Sequence, residues 1–203
     1  RPIEFSINSP DNVLVGLNAK YILKSSYLYG QFILDEFSLT KLQANAGWWA
    51  NKMGYQLGYK IFDPFNFERL TLQVEYNYVR PYTYAHHNPH QNYAHYNQAL
   101  AHPLGANFSE VLIMGNYKWR RFELDAKIMF AKYGSDFKGD TVSYGSNLYF
   151  STGNYAQEAD LVGIGSGRPS DFGIEMYQGN LTTIDYTSLN LSYIINPYTN
   201  LKI

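Results

Sequence analysis

The sequence predicts an all-β protein whose strands form an antiparallel, up-and-down transmembrane β-barrel, with long extracellular loops and short periplasmic turns. Apolar and polar residues alternate with a period of two in seven segments, and no segment has a convincing helical period. These segments run for about 10 to 12 residues, the length that crosses a bilayer at a tilt, whereas soluble strands usually run for ~5 to 6 residues. Short and long connections alternate between the segments, as they do in outer-membrane barrels.

Each predicted strand has one apolar face and one polar face. The strands are predicted near 12–23, with Val13, Val15 and Leu17 on the apolar face; near 27–36, with Leu28, Phe32 and Leu34; near 53–62, with Met53, Leu57 and Ile61; near 69–79, with Leu70, Leu72 and Val74; near 110–119, with Val111, Ile113 and Tyr117; near 121–132, with Leu124, Ile128 and Phe130; and near 184–195, with Leu189, Leu191 and Tyr193. The central stretches of these apolar faces are expected to carry no charge, since a charged side chain at mid-bilayer costs ~2 to 4 kcal/mol. Aromatic residues such as Tyr21 and Trp119 lie towards the ends of the faces, where an interfacial girdle is expected.

The composition excludes several other classes of protein. An apolar content of 45% is too high for a disordered chain, while the mean hydropathy of -0.34 and the short apolar runs exclude helical membrane spans. With 16 Lys and Arg against 17 Asp and Glu, the chain lacks the basic field that nucleic acid requires. The absence of Cys excludes a disulfide scaffold and a thiolate zinc site.

The connections divide the chain into one domain, 1–203, which we expect to be part of a single barrel. Long external loops are predicted at 37–52, 80–109 and 134–180. Bacterial single-chain barrels have an even number of strands, and residues 201–203 look like the start of an eighth strand. We therefore expect the chain to be a fragment of a larger outer-membrane barrel.

Three segments resemble one family of outer-membrane proteins. They are YGQFILDEF at 29–37, GWWANKMGYQLGYK at 47–60 and RPYTYAHHNPHQNYAHYNQALAHPLGANFSE at 80–110. They are similar to the Wzi-like and RemB-like family of Bacteroidota, over a stretch from about Val13 to Lys132. The resemblance implies a large barrel in the bacterial outer membrane that is connected with capsule, surface polysaccharide or gliding motility and has no established enzymatic reaction.

Candidate ligand-binding residues cluster in the loop 80–109, with two more in the loop 37–52. Aromatic rings pack on sugar rings, and imidazole and amide groups form hydrogen bonds with hydroxyls. The same residues suit a second interpretation, in which the loop folds inward and plugs the lumen. The predicted glycan-binding or loop-plug residues are Tyr82, Tyr84, His86, His87, His90, Tyr93, His95, Tyr96, Asn97, Gln98, His102, Trp48 and Trp49.

The sequence predicts no metal site, no cofactor and no catalytic residue. Neutral imidazoles are good ligands for Zn, Cu or Ni, but the five His follow no recognised metal-binding spacing. Ser109, His102 and Asn107 are close in sequence, but proximity in a loop is not the geometry of a catalytic triad.

The predicted function is that of a non-enzymatic outer-membrane subunit for surface polysaccharide or capsule interaction, or for a gliding-motility assembly. The expected partners are outer-membrane lipid and lipopolysaccharide, surface polysaccharide and other outer-membrane, secretion or motility proteins, and nucleic acid is not among them. The alternatives are a general diffusion porin and a structural subunit of a larger outer-membrane secretion or motility complex.

Overall fold

Eight antiparallel strands follow one another in chain order across one sheet, which confirms the all-β, up-and-down prediction. The computed structural model describes residues 12–154, 167–199 and 201–203. The strands of the sheet are β1 Val15–Ile22, β2 Ser26–Leu34, β3 Met53–Phe62, β4 Leu70–Val79, β7 Phe108–Trp119, β8 Phe122–Ser135, β9 Asn180–Asn196 and β10 Leu201–Lys202. Each of the seven predicted segments overlaps one of the strands β1–β4 or β7–β9, and the segment 53–62 has the same bounds as β3.

The connections contain little further regular structure. A small hairpin joins β5 Ala94–His95 to β6 Gln98–Ala99, and the helix α1 spans Leu39–Gln43. Two 3₁₀ turns span Pro64–Asn66 and Pro89–Gln91. No helix in the described part of the chain is long and apolar enough to cross a membrane. Of the predicted loop 134–180, residues 155–166 lie outside the described residues.

Strands β8 and β9 extend further towards the long loop than the predicted segments do. The backbone pairing between them continues to Ser135 and Asn180, whereas the sequence alternation indicated ends at 132 and 184. Backbone hydrogen bonds do not depend on side-chain polarity, so a strand can continue beyond the apolar residues that reveal it.

The described sheet is not closed into a barrel, which differs from the prediction. Its strand order ends at β1 and at β10, and each of these strands pairs on one side only. Closure needs pairing along the length of the last strand, but β10 pairs with β9 only through Leu201 and Lys202. The described residues therefore form an open, eight-stranded sheet.

One face of the sheet is apolar and lies open to the surroundings; we call it the outer face and the opposite one the inner face. On the outer face Leu17, Leu57 and Leu189 are 69%, 59% and 68% exposed. The inner face carries polar side chains, among them Glu75, which accepts a hydrogen bond from Tyr29 on β2, and Glu123, which accepts from Asn116 on β7 and from Lys202 on β10. The alternation in the sequence thus corresponds to two faces with opposite chemistry.

The apolar residues of the outer face form a band that runs diagonally across the strands. One row of paired residues is apolar on the first four strands and polar on the next three; it runs Leu17, Phe32, Tyr55, Tyr78, Ser109, Lys132, Thr183. A row nearer the short turns is apolar throughout; it runs Leu70, Tyr117, Leu124, Leu191. Between β2 and β9 the centre of the band moves along the strand direction by about four rows, where one row is two residues or ~7 Å. The same two strands are separated by roughly five strand spacings of ~4.8 Å. The two distances are similar, so the strands are tilted by ~45° to the normal of the band.

On the described strands, two charged residues lie on the outer face, where the sequence predicted none over the central stretches. Lys132 on β8 pairs with Thr183, and Asp185 on β9 pairs with Phe130. Both lie at the long-loop ends of their strands, beyond the diagonal band. The expectation of a charge-free apolar face therefore applies to the band and not to the full length of β8 and β9.

The hydrophobic core lies on the inner face, at the long-loop end. Val79 at the end of β4 and Phe108 at the start of β7 pack there with residues of the loops, including Tyr84, Ala106 and Leu148. The loops thus fold inward over the sheet, and the core is formed between loop and sheet.

Candidate functional site

The long loops pack together on the inner face, and we call the segments 80–107, 136–154 and 167–179 the loop cap. Tyr82 lies at its centre and is fully buried. Its N–H donates to the carbonyl oxygen of Gly145 at 2.8 Å, and its hydroxyl donates to that of Ser143 at 2.8 Å. Burial raises the pKa of the Tyr82 phenol. This predicted glycan-binding or loop-plug residue therefore lies inside the cap.

A buried lysine attaches the loop cap to the ends of two strands. The Nζ atom of Lys52 donates to the carbonyl oxygen of Ala85 at 3.0 Å and lies 3.7 Å from Asp35 and 3.4 Å from Glu36. Asp35 also accepts a hydrogen bond from the N–H of Tyr84 at 3.2 Å. Burial raises the pKa of Asp35, and this effect outweighs the opposite effect of Lys52. The sequence reading missed Lys52, since a single Lys before an apolar strand carries no distinctive signal.

The two predicted tryptophans lie where the loop 37–52 meets the loop cap. The guanidinium of Arg168 lies 3.9 Å from the centre of the Trp49 ring, and the Trp48 ring meets that of Trp49 edge-on at 6.3 Å. Arg168 also forms an ion pair with Asp171 at 2.9 Å. Cation–π contacts of this kind stabilise a packed arrangement. Trp49 therefore connects the segments 37–52 and 167–179.

The five histidines do not converge on one point. In the described ranges, no group of three or more His, Asp or Glu side chains is arranged to hold a metal ion. His87 and His90 are exposed, and His95 meets the ring of Tyr96 edge-on at 4.3 Å. The Nδ1 atom of His86 accepts a hydrogen bond from the N–H of Asn88 at 3.1 Å. Partial burial, and then the charge of Lys52, lower the pKa of His86.

His102 joins the loop cap to the sheet. Its Nδ1 atom accepts a hydrogen bond from the N–H of Leu104 at 3.2 Å, which assigns the proton of a neutral ring to Nε2. The Nε2 atom then donates to Oε1 of Glu110 at 2.8 Å, and the ring stacks on Phe108 at 4.3 Å.

Ser109 and Asn107 have different partners from His102. The Ser109 hydroxyl lies 2.7 Å from the hydroxyl of Tyr177. The buried amide of Asn107 donates to the carbonyl oxygens of Gly134 and Gln178, each at 2.9 Å. Asn107 also accepts a hydrogen bond from the N–H of Tyr177 at 2.6 Å, so Ser109 and Asn107 share a partner residue while His102 bonds to Glu110 instead.

A cleft of about 270 Å³ lies between the inner face and the loop cap. The side chains that define this amide cleft are Gln31, Gln56, Asn77, Tyr84, Tyr93 and His102. Gln31 pairs with Gln56, and Gln56 pairs with Asn77, so three amides stand side by side on β2, β3 and β4. The sequence reading missed these amides, because on each strand alone they are ordinary members of the polar face. Only the register between strands brings them together.

The remaining predicted residues form an exposed tip. Tyr96 and Asn97 make the turn of the β5–β6 hairpin with φ angles of 47° and 58°, and Tyr96 is 87% exposed. Gln98 beside them is exposed as well. The thirteen predicted residues are therefore divided among a buried cap centre, the amide cleft and an exposed surface.

The resemblance of three segments to the Wzi-like and RemB-like family stays a prediction. A comparison of the chain with protein-family models, with curated proteins and with solved structures finds no match.

Proposed function

We propose that this chain forms part of the wall of a bacterial outer-membrane β-barrel, with its outer face in lipid and its loop cap at the cell surface. The observation that carries the proposal is the diagonal apolar band. A tilt of ~45° is the one at which strands of about 9 to 11 residues cross a bilayer. A soluble barrel also tilts its strands, but it turns its apolar face inward, whereas here the loops pack on the polar face and the sloping apolar face lies open.

The exposure of the band supports the same proposal. Leu57 and Leu189 belong to a wide apolar surface that no element of the described chain covers. Soluble monomers rarely expose contiguous apolar patches of more than a few hundred Å². Lys132 and Asp185 lie beyond the band, where the lipid headgroups and water begin in this arrangement.

A barrel in lipid also needs partners for both edges of the sheet. An unpaired backbone N–H or C=O costs several kcal/mol in hydrocarbon. We therefore propose that further strands pair with β1 and β10 and close the barrel.

The loop end is proposed to act by binding and not by catalysis. The exposed tip at Tyr96, Asn97 and Gln98 combines an aromatic ring with amides, a combination that suits saccharides. Together with the family resemblance, it supports a role in contact with surface polysaccharide or capsule, or in a gliding-motility assembly. Lipid and lipopolysaccharide are the proposed neighbours of the outer face.

A diffusion channel is the second candidate, because the inner face is polar. Glu123 pairs there with Lys118 at 3.1 Å and also with Lys202. The loop cap, however, covers the inner face at one end, which favours a plugged lumen. Planar-bilayer recordings separate the two candidates: a diffusion channel conducts steadily, whereas we expect the capped barrel to stay closed.

The binding role is tested by comparing the exposed tip with an exposed tyrosine at the other end of the sheet. We expect the triple variant Tyr96→Ala, Asn97→Ala, Gln98→Ala to lose adhesion to purified surface polysaccharide. Tyr198 in the turn before β10 is the control, because it is 99% exposed but lies at the opposite end of the sheet. Unchanged adhesion of the triple variant, or an equal loss in Tyr198→Ala, would contradict a polysaccharide surface at the loop end.

A further inference from the structure

The amide cleft has an open hydrogen-bonding capacity that the protein itself does not use. In the described part of the chain, the side-chain amides of Gln31 and Gln56 have no hydrogen-bond partner. Asn77 uses its N–H groups, which donate to Glu75 at 3.0 Å and to Glu110 at 2.8 Å, so its carbonyl oxygen is left to accept a bond. Neighbouring strands lie ~4.8 Å apart, so the cleft offers a row of closely spaced donors and acceptors.

The opposite side of the cleft is aromatic. The rings of Tyr84 and Tyr93 stack with their centres 5.8 Å apart and their planes at 28°. Burial raises the pKa of Tyr84 to about 12, so the phenol is neutral at physiological pH. A flat ring surface of this kind packs against the C–H face of a sugar ring, while hydroxyls at the edge of the sugar reach the amides.

The cleft is also free of formal charge. Among the described residues that line it, none is Asp, Glu, Lys or Arg. The carboxylate of Glu110, which accepts hydrogen bonds from both Asn77 and His102, is already engaged by two donors. A phosphate, an acidic sugar or a cation would find no counter-charge in the cleft, whereas a neutral ligand with many hydroxyls would satisfy the amides without one.

The volume limits the size of the ligand. Small-molecule sites usually measure ~300 to 1,000 Å³, and the cleft of about 270 Å³ lies just below this range. One sugar unit is therefore a better match than a longer stretch of polymer.

We propose that the amide cleft binds a single neutral sugar unit, with Gln31, Gln56 and Asn77 as hydrogen-bonding groups and Tyr84 and Tyr93 as the stacking surface. This inference rests on the proposed contact with surface polysaccharide and gives it a site and a ligand class. The sugar unit is either the end of a polymer chain or a free monosaccharide, since both present the same chemistry.

Saturation-transfer NMR on the full chain in detergent tests the proposal, with D-glucose, D-galactose and N-acetyl-D-glucosamine as probes and D-glucuronate as the charged comparison. We expect at least one neutral sugar to bind, and to bind several-fold more tightly than D-glucuronate. The double variant Gln31→Ala, Gln56→Ala should bind that sugar roughly 3- to 10-fold more weakly per amide removed. Because these amides have no protein partner, their removal leaves no buried group unsatisfied, and the fold is expected to persist.

An exposed glutamine away from both the cleft and the tip supplies the matched control. Gln43→Ala removes an amide at the end of helix α1 and should leave monosaccharide binding unchanged. The proposal is overturned if none of the neutral sugars binds, if D-glucuronate binds best, or if Gln43→Ala weakens binding while the double variant does not. Two competition experiments identify the natural form of the sugar. Displacement of the bound probe by polysaccharide fragments with a free chain end supports a polymer terminus, and displacement by the monosaccharide alone supports a free sugar. Membrane insertion and adhesion at the tip are measured without these probes, so their failure is distinguishable from failure of the cleft proposal.

Discussion

Tyr29 on β2 reaches across one strand to bond with the next. It pairs in register with Gly58 on β3, which in turn pairs with Glu75 on β4. The Tyr29 hydroxyl donates to the Glu75 carboxylate and accepts a hydrogen bond from Gln73 at 2.7 Å. Gly58 makes this possible because a Cβ atom at this position would overlap the tyrosine ring. The absence of a single side chain thus allows a contact that connects three strands.

Replacing this glycine should break the contact. We expect Gly58→Ala to lower the free energy of unfolding by about 1 to 3 kcal/mol, because the Tyr29 ring must move and release Glu75. Urea unfolding in detergent measures the change. Gly115→Ala is the control, since its Cβ would lie at an ordinary 3.4 Å from Leu72. The packing explanation would be refuted if both variants lost the same free energy of unfolding. It would also be refuted if Gly58→Ala lost as much in a Tyr29→Ala background as in the original chain.

His86 should make the loop cap sensitive to acid. Its pKa in the folded state is lowered by partial burial and by Lys52, so below the ordinary value of ~6.5 the unfolded segment binds more protons than the folded one. Stability is therefore fully present above the ordinary pKa and falls as the pH falls towards the folded-state pKa. We expect amides of the segment 80–107 to exchange faster with deuterium at pH 5 than at pH 7.5, after correction for the intrinsic rates. His86→Gln should remove part of this difference, and an unchanged difference would exclude His86 as its source.

At the scale of elements, the loop cap depends on the buried cluster at the ends of β2 and β3. The side chains of Lys52 and Asp35 are both fully inaccessible to solvent, and Lys52 also bonds to the carbonyl oxygen of Ala85. A buried charge that loses its partner is strongly destabilising. Lys52 and Asp35 thus hold the cap through backbone hydrogen bonds with Ala85 and Tyr84, and their ion pair keeps the two side chains together.

Removal of this lysine should loosen the cap. We expect Lys52→Met to reduce stability by about 3 to 5 kcal/mol, because Asp35 is left buried without a cation. Limited proteolysis of the segment 80–107 and urea unfolding measure the effect. Lys24→Met in an exposed turn is the control and should have almost no effect. Asp35→Asn should recover part of the loss in the Lys52→Met background, and no recovery would show that the ion pair is not the cause.

The sequence was sufficient for the strands but insufficient for the loop cap. Alternation of period two is a local signal, so the segment that became β3 was predicted with its observed bounds. Tyr82 was predicted either to bind glycan or to belong to a loop plug, and the sequence could not show that its hydroxyl bonds to Ser143, which is 61 residues away. The sequence alone does not distinguish a tyrosine that contacts a sugar from one that bonds to a distant carbonyl oxygen. The amides Gln31 and Gln56 were missed for a related reason, since their proximity depends on the register between strands.

At the scale of the whole molecule, the slope of the apolar band connects the sequence to the proposed membrane setting. The same row of the sheet is apolar at Phe32 and Tyr78 but polar at Lys132 and Thr183. If the band marks the hydrocarbon layer, the strands cross it at ~45°, which lies at the upper end of the tilt typical of outer-membrane barrels. The long-loop ends of β8 and β9 then project beyond the layer, and the loop cap lies on the same side.

Cysteine labelling along this row tests the membrane claim most directly. The chain has no Cys, so each single variant, Phe32→Cys, Tyr78→Cys, Lys132→Cys or Thr183→Cys, carries one reactive thiol. In isolated outer membranes, a charged maleimide should label the thiols at 132 and 183 and spare those at 32 and 78 until the protein is denatured. Equal labelling of all four positions, or protection of all four, would contradict a lipid-facing band that runs diagonally across the strands.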